Sequence, residues 1–433
     1  MKKRFRVHPI LWFIYQILKG LSWLCIHIYY RKRVVMGREH ARLNDAPFII
    51  VSNHPSTLMD PLNAGIHVPR VLFFLANYSL FKHPVSNWLL SRLYCIPIKR
   101  REDVLSGENR NNDAAFEQSF QHLEKGGALY IAPEGNSWME RRVRSFKNGT
   151  ARIAFNTEVR HDFELGLKIV PVGVTYYAPE KFRSNMVIQF GQPILVKDFA
   201  ENWHNNRNKA VNTLMEVLEE RVKARCIHTR NEAEEAFLTR LEKLYDVSAP
   251  LPLQASFERS QSWSDTLLQD DALCDQTADY FGYLAEAGVT DRSVVEATHS
   301  GVMLQNILNA LFLAVFFPVF GVGWLFWFLP CYLPAALARK LKLYVGYDSN
   351  VKILVGIFTF SGIWWLLYRT GKYWLHSSWW AAALIPVSIL LGYFTEKYVE
   401  VAGRFFNRFR AMRLPSTQLK MLLQVRNELP LQY

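Results

Sequence analysis

Six short apolar runs constrain this chain more than any other feature: Phe48 to Ser52, Val71 to Ala76, Tyr94 to Ile98, Ala128 to Ala132, Lys168 to Val174 and Met186 to Phe190. Each has the length of a buried strand, and helical patterns lie between several of them. Residues Asn112 to Lys125 put Phe116, Phe120 and Leu123 on one face and stop at Gly126-Gly127, as an amphipathic helix with a glycine stop does. Alternating strands and helices predict an α/β fold with a largely parallel sheet flanked by helices. Ligands of such sheets bind beyond the carboxyl ends of the strands. Polar residues just past the runs are therefore the first candidates for function.

Past the first run comes Asn53-His54-Pro55-Ser56-Thr57-Leu58-Met59-Asp60. A histidine and a carboxylate six positions apart supply a general base and its orienting partner. With 12 His and 38 acidic residues in the chain, one such pair arises by chance, so its weight depends on the residues downstream of it. Past the third run lie Lys99, Arg100 and Arg101, whose guanidinium groups suit phosphate oxygens and whose other reading is a solvated basic turn. Past the fourth lie Glu134 and Gly135 within Ala132-Pro133-Glu134-Gly135-Asn136-Ser137. Glycine there lets the backbone approach a ligand, and its N–H is a candidate oxyanion donor. Lys147 precedes a predicted helix, where lysine and helix terminus both favour an anion; a plain surface lysine is the alternative.

In order and spacing the His-Asp motif, the basic block, the Pro-Glu-Gly block and Ile169-Val170-Pro171-Val172-Gly173-Val174 resemble the glycerophospholipid O-acyltransferases. The resemblance covers roughly residues 36–215. It is similar in detail to the glycerol-3-phosphate and dihydroxyacetone-phosphate branch, through Asn53-His54-Pro55, the five residues between His54 and Asp60, Asp60-Pro61 and Phe182-Arg183-Ser184. Many relatives follow Pro-Glu-Gly with Thr-Arg. This chain has Asn136-Ser137 there and carries its cations later, at Arg141, Arg142, Arg144 and Lys147.

The resemblance implies transfer of an acyl group from acyl-CoA or acyl carrier protein to a hydroxyl of glycerol 3-phosphate or 1-acylglycerol 3-phosphate, with no bound cofactor or metal. His54 is then the general base and Asp60 fixes its tautomer, as in the serine triad but without an enzyme nucleophile. Asn53, Lys99, Arg100, Arg101, Glu134, Gly135 and Lys147 are the expected substrate-binding residues. A non-catalytic membrane scaffold on the same fold is the alternative, opposed by the intact His54, Asp60 and Glu134. A lipid hydrolase is opposed by the lack of a Gly-x-Ser-x-Gly elbow and of His-Glu-x-x-His.

Charge points to membranes instead of nucleic acid. Residues 1–33 hold eight Lys or Arg and no acid, and residues 395–433 hold seven against three, so the two ends supply nearly all of the net +13. These cations flank the most apolar segments, where anionic headgroups offer on the order of 1 kcal/mol per basic side chain. Pro9 to Tyr30 is apolar but divided by Lys19-Gly20. A span would place Lys19 mid-bilayer at about 2.5–3.5 kcal/mol, so a pair of short interfacial helices is expected. No small-residue cleavage site precedes Arg31-Lys32-Arg33, and the segment is expected to stay attached. Five dispersed cysteines without metal spacing read as reduced thiols facing a cytoplasm.

The expected organisation is 1–35 interfacial helices, 36–215 acyltransferase domain, 216–300 helical linker region with an irregular stretch at 247–262, 301–396 membrane hairpins and 397–433 a basic tail. Leu304 to Leu333 is too short for two spans, and Pro318 to Gly323 weakens its middle, which predicts a re-entrant hairpin bent there. Ile353 to Tyr368 and Trp379 to Phe394 form a second predicted hairpin. The resemblance implies a catalytic domain on the cytoplasmic side, where acyl thioesters are made, and the cations at 339–352 and after Glu396 place both flanks there too.

Overall fold

The structure, a computed structural model, describes residues 8–92, 94–100, 111–266 and 270–430. The chain forms two compact units: one runs to Arg230 and includes Tyr344–Ser349, the other comprises Asn231–Leu343 and Asn350 onward.

The first unit is built on one eight-stranded sheet among the described residues. Its strands are β1 (Lys32–Met36), β2 (Phe48–Ser52), β3 (Leu72–Asn77), β4 (Cys95–Ile98), β5 (Ala128–Ile131), β6 (Lys168–Tyr176), β7 (Asn185–Phe190) and β8 (Ile194–Leu195). The order is β1-β7-β6-β2-β5-β3-β4, with β8 against β6. Only β6 with β7 and β6 with β8 pair antiparallel; the other pairs are parallel, as the alternating pattern predicts. Strand β2 lies between β5 and β6, and Phe48, Ile49, Ile50 and Val51 are fully buried. A strand covered on both faces has no use for a polar alternate, which explains the unbroken apolar run. Strands β1 and β8 escaped the sequence reading. Lys32 and Arg33 disguise the first, and the second has only two residues.

The helices of this unit are α1 (Pro9–Tyr29), α2 (Met59–Gly65), α3 (Pro84–Arg92), α4 (Asp113–Glu124), α5 (Gly149–Val159), α6 (Ala200–Asn205) and α7 (Arg207–Lys223). Ile49, Val51, Leu129 and Ile169 from the sheet pack with Ala154, Phe155, Leu214 and Leu218 from α5 and α7. Each buried Ile, Val, Leu or Phe among them contributes about 1.5–3 kcal/mol. The expected pair of N-terminal helices is a single 21-residue helix. Gly20 costs it about 1 kcal/mol, and contacts to the domain offset this: Lys19 Nζ donates to the Val68 carbonyl, Tyr15 Oη accepts from the Leu72 N–H at 3.2 Å, and Tyr29 Oη donates to the Pro179 carbonyl at 3.0 Å.

The second unit is helical: α8 (Glu232–Ser248), α9 (Leu253–Thr266), α10 (Asp271–Glu286), α11 (Asp291–Ala297), α12 (Val302–Leu341), α13 (Asp348–Leu375, its first two residues counted with the sheet unit), α14 (Ser378–Met412) and α15 (Ser416–Glu428). The stretch 247–262, expected to be irregular, is mostly α9. Pro252 stands just before its first turn, where a missing N–H is harmless, and Phe257 and Trp263 are buried.

The re-entrant hairpin is also overturned. Helix α12 runs 40 residues through Pro318, Pro330 and Pro334. Neighbours meet the backbone that proline disturbs. Pro334 leaves the Pro330 carbonyl without its helical donor, and the Thr359 hydroxyl lies within donating distance of it at 3.3 Å. Tyr398 Oη on α14 donates to the Leu313 carbonyl of α12 at 2.7 Å. Helices α1, α12, α13 and α14 are each long and apolar enough to cross a membrane. In the expected basic tail, Arg408 pairs with Glu296 at 2.7 Å and Arg426 with Asp291 at 2.6 Å, both guanidiniums buried. Those two charges hold helices together.

Candidate active site

Beyond β2 the chain turns sharply, and this loop carries the site. His54 Nδ1 lies 2.8 Å from Asp60 Oδ2, and the Ser56 N–H donates to the same oxygen at 2.8 Å. Asp60 is fully buried in the first turn of α2, whereas 14 % of the His54 side chain is open to solvent. A carboxylate facing Nδ1 sets the tautomer: Nδ1 holds the proton and Nε2 keeps a lone pair. Two fully buried phenols stand near. Burial pushes Tyr130 and Tyr176 well above the ordinary tyrosine range, and the Asp60 charge adds to it, so both remain donors.

The Pro-Glu-Gly segment is laced to this loop. The His54 N–H donates to Glu134 Oε1 at 3.1 Å, the Trp138 N–H to the His54 carbonyl at 3.1 Å, and the Thr57 N–H to Ser137 Oγ at 2.9 Å. Thr57 has φ 41°, a costly conformation for a β-branched residue, and these bonds hold it. Glu134 is buried, and its carboxyl is raised to about 8, by burial first and then by Asp60, against the lowering effects of the His54 and Arg144 amides and the Arg144 guanidinium. Gly135 has φ 82°, and a Cβ there would meet Lys147 Nζ at 2.6 Å. Its own N–H donates to the Ala132 carbonyl at 3.3 Å, within the turn.

The remaining candidates divide. Arg100 Nη1 donates to Asn136 Oδ1, tying the basic block to the Pro-Glu-Gly block. Lys99 holds its ammonium 5.1 Å from the Tyr78 ring centroid, while its backbone exchanges hydrogen bonds with the Asn112 amide at 2.8 and 2.9 Å. Arg101 lies outside the described residues. Asn53 spends its amide on β6, donating to the Val174 carbonyl and accepting from the Val174 N–H, both at 2.8 Å. That anchors the loop to the sheet. Among the described residues no cluster of His, Cys, Asp and Glu could hold a metal ion.

Sequence reasoning missed the partners that arrive from far away. Thr57 Oγ1 donates to the Gly346 carbonyl at 3.0 Å, Ser56 Oγ faces Ser349 Oγ at 3.4 Å, and the Met139 N–H donates to Tyr344 Oη. Arg144, noted only as a displaced cation, stacks over Trp138 at 4.8 Å and ion-pairs with Glu140. No local pattern marks Tyr344 to Ser349 as part of this site.

Residues 32–175 match the acyltransferase family model, and this stretch is an acyltransferase domain. The relatives it is similar to are glycerolipid acyltransferases. The chain is 27 % identical over 199 residues to a glycerol-3-phosphate O-acyltransferase of Saccharomyces cerevisiae, covering 43 % of this chain and 26 % of the yeast protein. It is 26 % identical over 151 residues to a chloroplastic 1-acyl-sn-glycerol-3-phosphate acyltransferase of Arabidopsis thaliana, covering 35 % and 38 %. The chain thus spans about a quarter to two-fifths of these relatives' lengths. The crystal structure of the 1-acyl-sn-glycerophosphate acyltransferase of Thermotoga maritima gives a TM-score of 0.37 at 20 % identity, covering 49 % of this chain and 80 % of that one.

Proposed function

We propose that this chain moves a fatty acyl group from acyl-CoA or acyl carrier protein to a hydroxyl of glycerol 3-phosphate or 1-acylglycerol 3-phosphate, at a membrane, in phospholipid synthesis. The observation that carries the reading is the His54–Asp60 pair, one member buried and the other partly open, at the carboxyl end of the central strand. His54 Nε2 takes the acceptor's hydroxyl proton as its oxygen attacks the thioester carbonyl carbon. Buried Asp60 stabilises the imidazolium so formed. When the tetrahedral intermediate collapses, the carbon–sulfur bond breaks and the imidazolium returns the proton to the thiolate.

Positive charge for the acceptor phosphate comes from Arg100, linked to Asn136, and from Lys147, which overhangs Gly135. Arg101 belongs with them by its position in the sequence. Lys99, with its ammonium on Tyr78, and Asn53, with its amide on β6, act by positioning. The domain faces the cytoplasm in this reading, because acyl thioesters are made there.

Purified full-length chain in detergent, given a labelled acyl thioester and each acceptor in turn, tests the assignment. Product should form with one of the two glycerol phosphates. His54→Ala should lower turnover by roughly 100-fold to 10,000-fold with an unchanged thermal midpoint, and Asp60→Asn should act similarly. Undiminished turnover in His54→Ala, or no transfer to either acceptor, would falsify the proposal.

A further inference from the structure

The first helix and first strand bring five basic side chains together. Lys19 of α1 reaches the Val68 carbonyl, next to His67 just past the end of α2. His27, about two turns further along α1, lies with Nδ1 2.8 Å from an Arg33 guanidinium nitrogen on β1. Gly37 leads the chain out of β1 with φ 65° and packs on the Phe190 carbonyl. Arg38 is the next residue, and the His67 ring meets the Phe190 ring edge-on at 6.2 Å between centroids.

His67 is the interior member of the group, 9 % exposed. Burial lowers its pKa to about 4, with the neighbouring bases Arg38, Arg33, His27 and Lys19 adding to the effect; of these the two arginines and the lysine carry the positive charge at neutral pH, because burial and Arg33 lower the pKa of His27. It is thus a neutral N–H donor at neutral pH. The nearest acid in sequence, Glu39, is 74 % exposed and turns to His40 at 3.8 Å. Gathered like charges repel, and an anion among them converts that repulsion into attraction.

Helix α1 indicates what carries the anion. Tyr15, Ile26 and Tyr29 are buried against the domain, while Trp12, Phe13, Ile17, Leu21 and Leu24 on the remaining surface are 39–60 % exposed. An apolar helix face beside a basic cluster fits an amphiphile with a negative head. Arg33 and Arg38 can each bind phosphate oxygens through paired N–H groups.

We propose that Lys19, His27, Arg33, Arg38 and His67 form a binding site for the phosphate of an anionic membrane phospholipid whose acyl chains lie along the exposed face of α1. The bound lipid is not a substrate, and the site stands independently of the acyl-transfer reading.

Native mass spectrometry of the full-length chain in detergent, titrated with phosphatidylglycerol or phosphatidylcholine, tests this. Phosphatidylglycerol should bind at least about tenfold more tightly than phosphatidylcholine. The Arg33→Gln/Arg38→Gln double variant should erase that preference while its lipid-free thermal midpoint stays level or rises, since repulsion is relieved. Arg38→Lys alone should retain the preference. Equal binding by wild type and double variant overturns the site. Displacement of the lipid by equimolar inorganic phosphate overturns the lipid as ligand, and displacement by glycerol 3-phosphate places it in the acceptor site instead.

Discussion

Glu134 accepts the His54 N–H while buried beside Asp60, and its carboxyl is raised from 4.5 to about 8. Between those values the unfolded chain has released a proton that the folded chain keeps, so stability falls as pH rises through the window. Glu134→Gln retains an oxygen for the His54 amide and has no proton to lose. Its thermal midpoint should therefore decline less than wild type's between about pH 5 and about pH 8; parallel curves would mean that Glu134 is already ionised in the fold. At this scale the sequence was informative wherever chemistry is local. His54 and Asp60 are only six positions apart, and that spacing, read together with the blocks downstream, pointed to the pair now seen at 2.8 Å. The tie of Asn53 to β6 was hidden because its partner, Val174, is 121 residues away, and nothing nearby signals that its amide meets a strand. Tyr344 and Gly346 were invisible for the same reason.

Elements were legible where one principle governs them and obscure where two compete. Strands β2, β5 and β6 are almost wholly apolar because both their faces are covered. Edge strand β1 carries Lys32 and Arg33, and charge concealed it. In α12 the prolines argued for a bend, but tertiary donors to its backbone won, as Thr359 beneath Pro330 illustrates. The helix is further fixed by close packing on α14. Trp327 covers Gly392 and donates from Nε1 to the Ser388 carbonyl at 2.7 Å, while Gly323 sits against Leu391 and Thr395. A larger side chain at 392 must displace the indole. Gly392→Leu should destabilise the helical unit by about 1–3 kcal/mol, read as a lower denaturation midpoint in detergent, whereas the neighbouring exposed Leu390→Ala should change it little. Equal effects of the two would show that α12 and α14 do not interlock at this glycine.

The chain as a whole is not divided where its composition changes. The acyltransferase unit ends at Arg230 and then reclaims Tyr344–Ser349 from between two apolar helices. Residues 1–230 produced alone should fold the sheet yet lose amide-exchange protection in the 53–57 loop and at Met139, relative to the full chain. Undiminished protection there would reduce Tyr344–Ser349 to a passive connection. The same feature imposes an order in time. Thr57 and the Gly346 carbonyl it bonds are 289 residues apart, so at ~5–20 residues per second the ribosome works for roughly 15–60 s after making the 53–57 loop before it makes the loop's last partner. By then α12 has been synthesised. A nascent chain thus carries an incomplete 53–57 loop until the first long apolar helix of the second unit has been made.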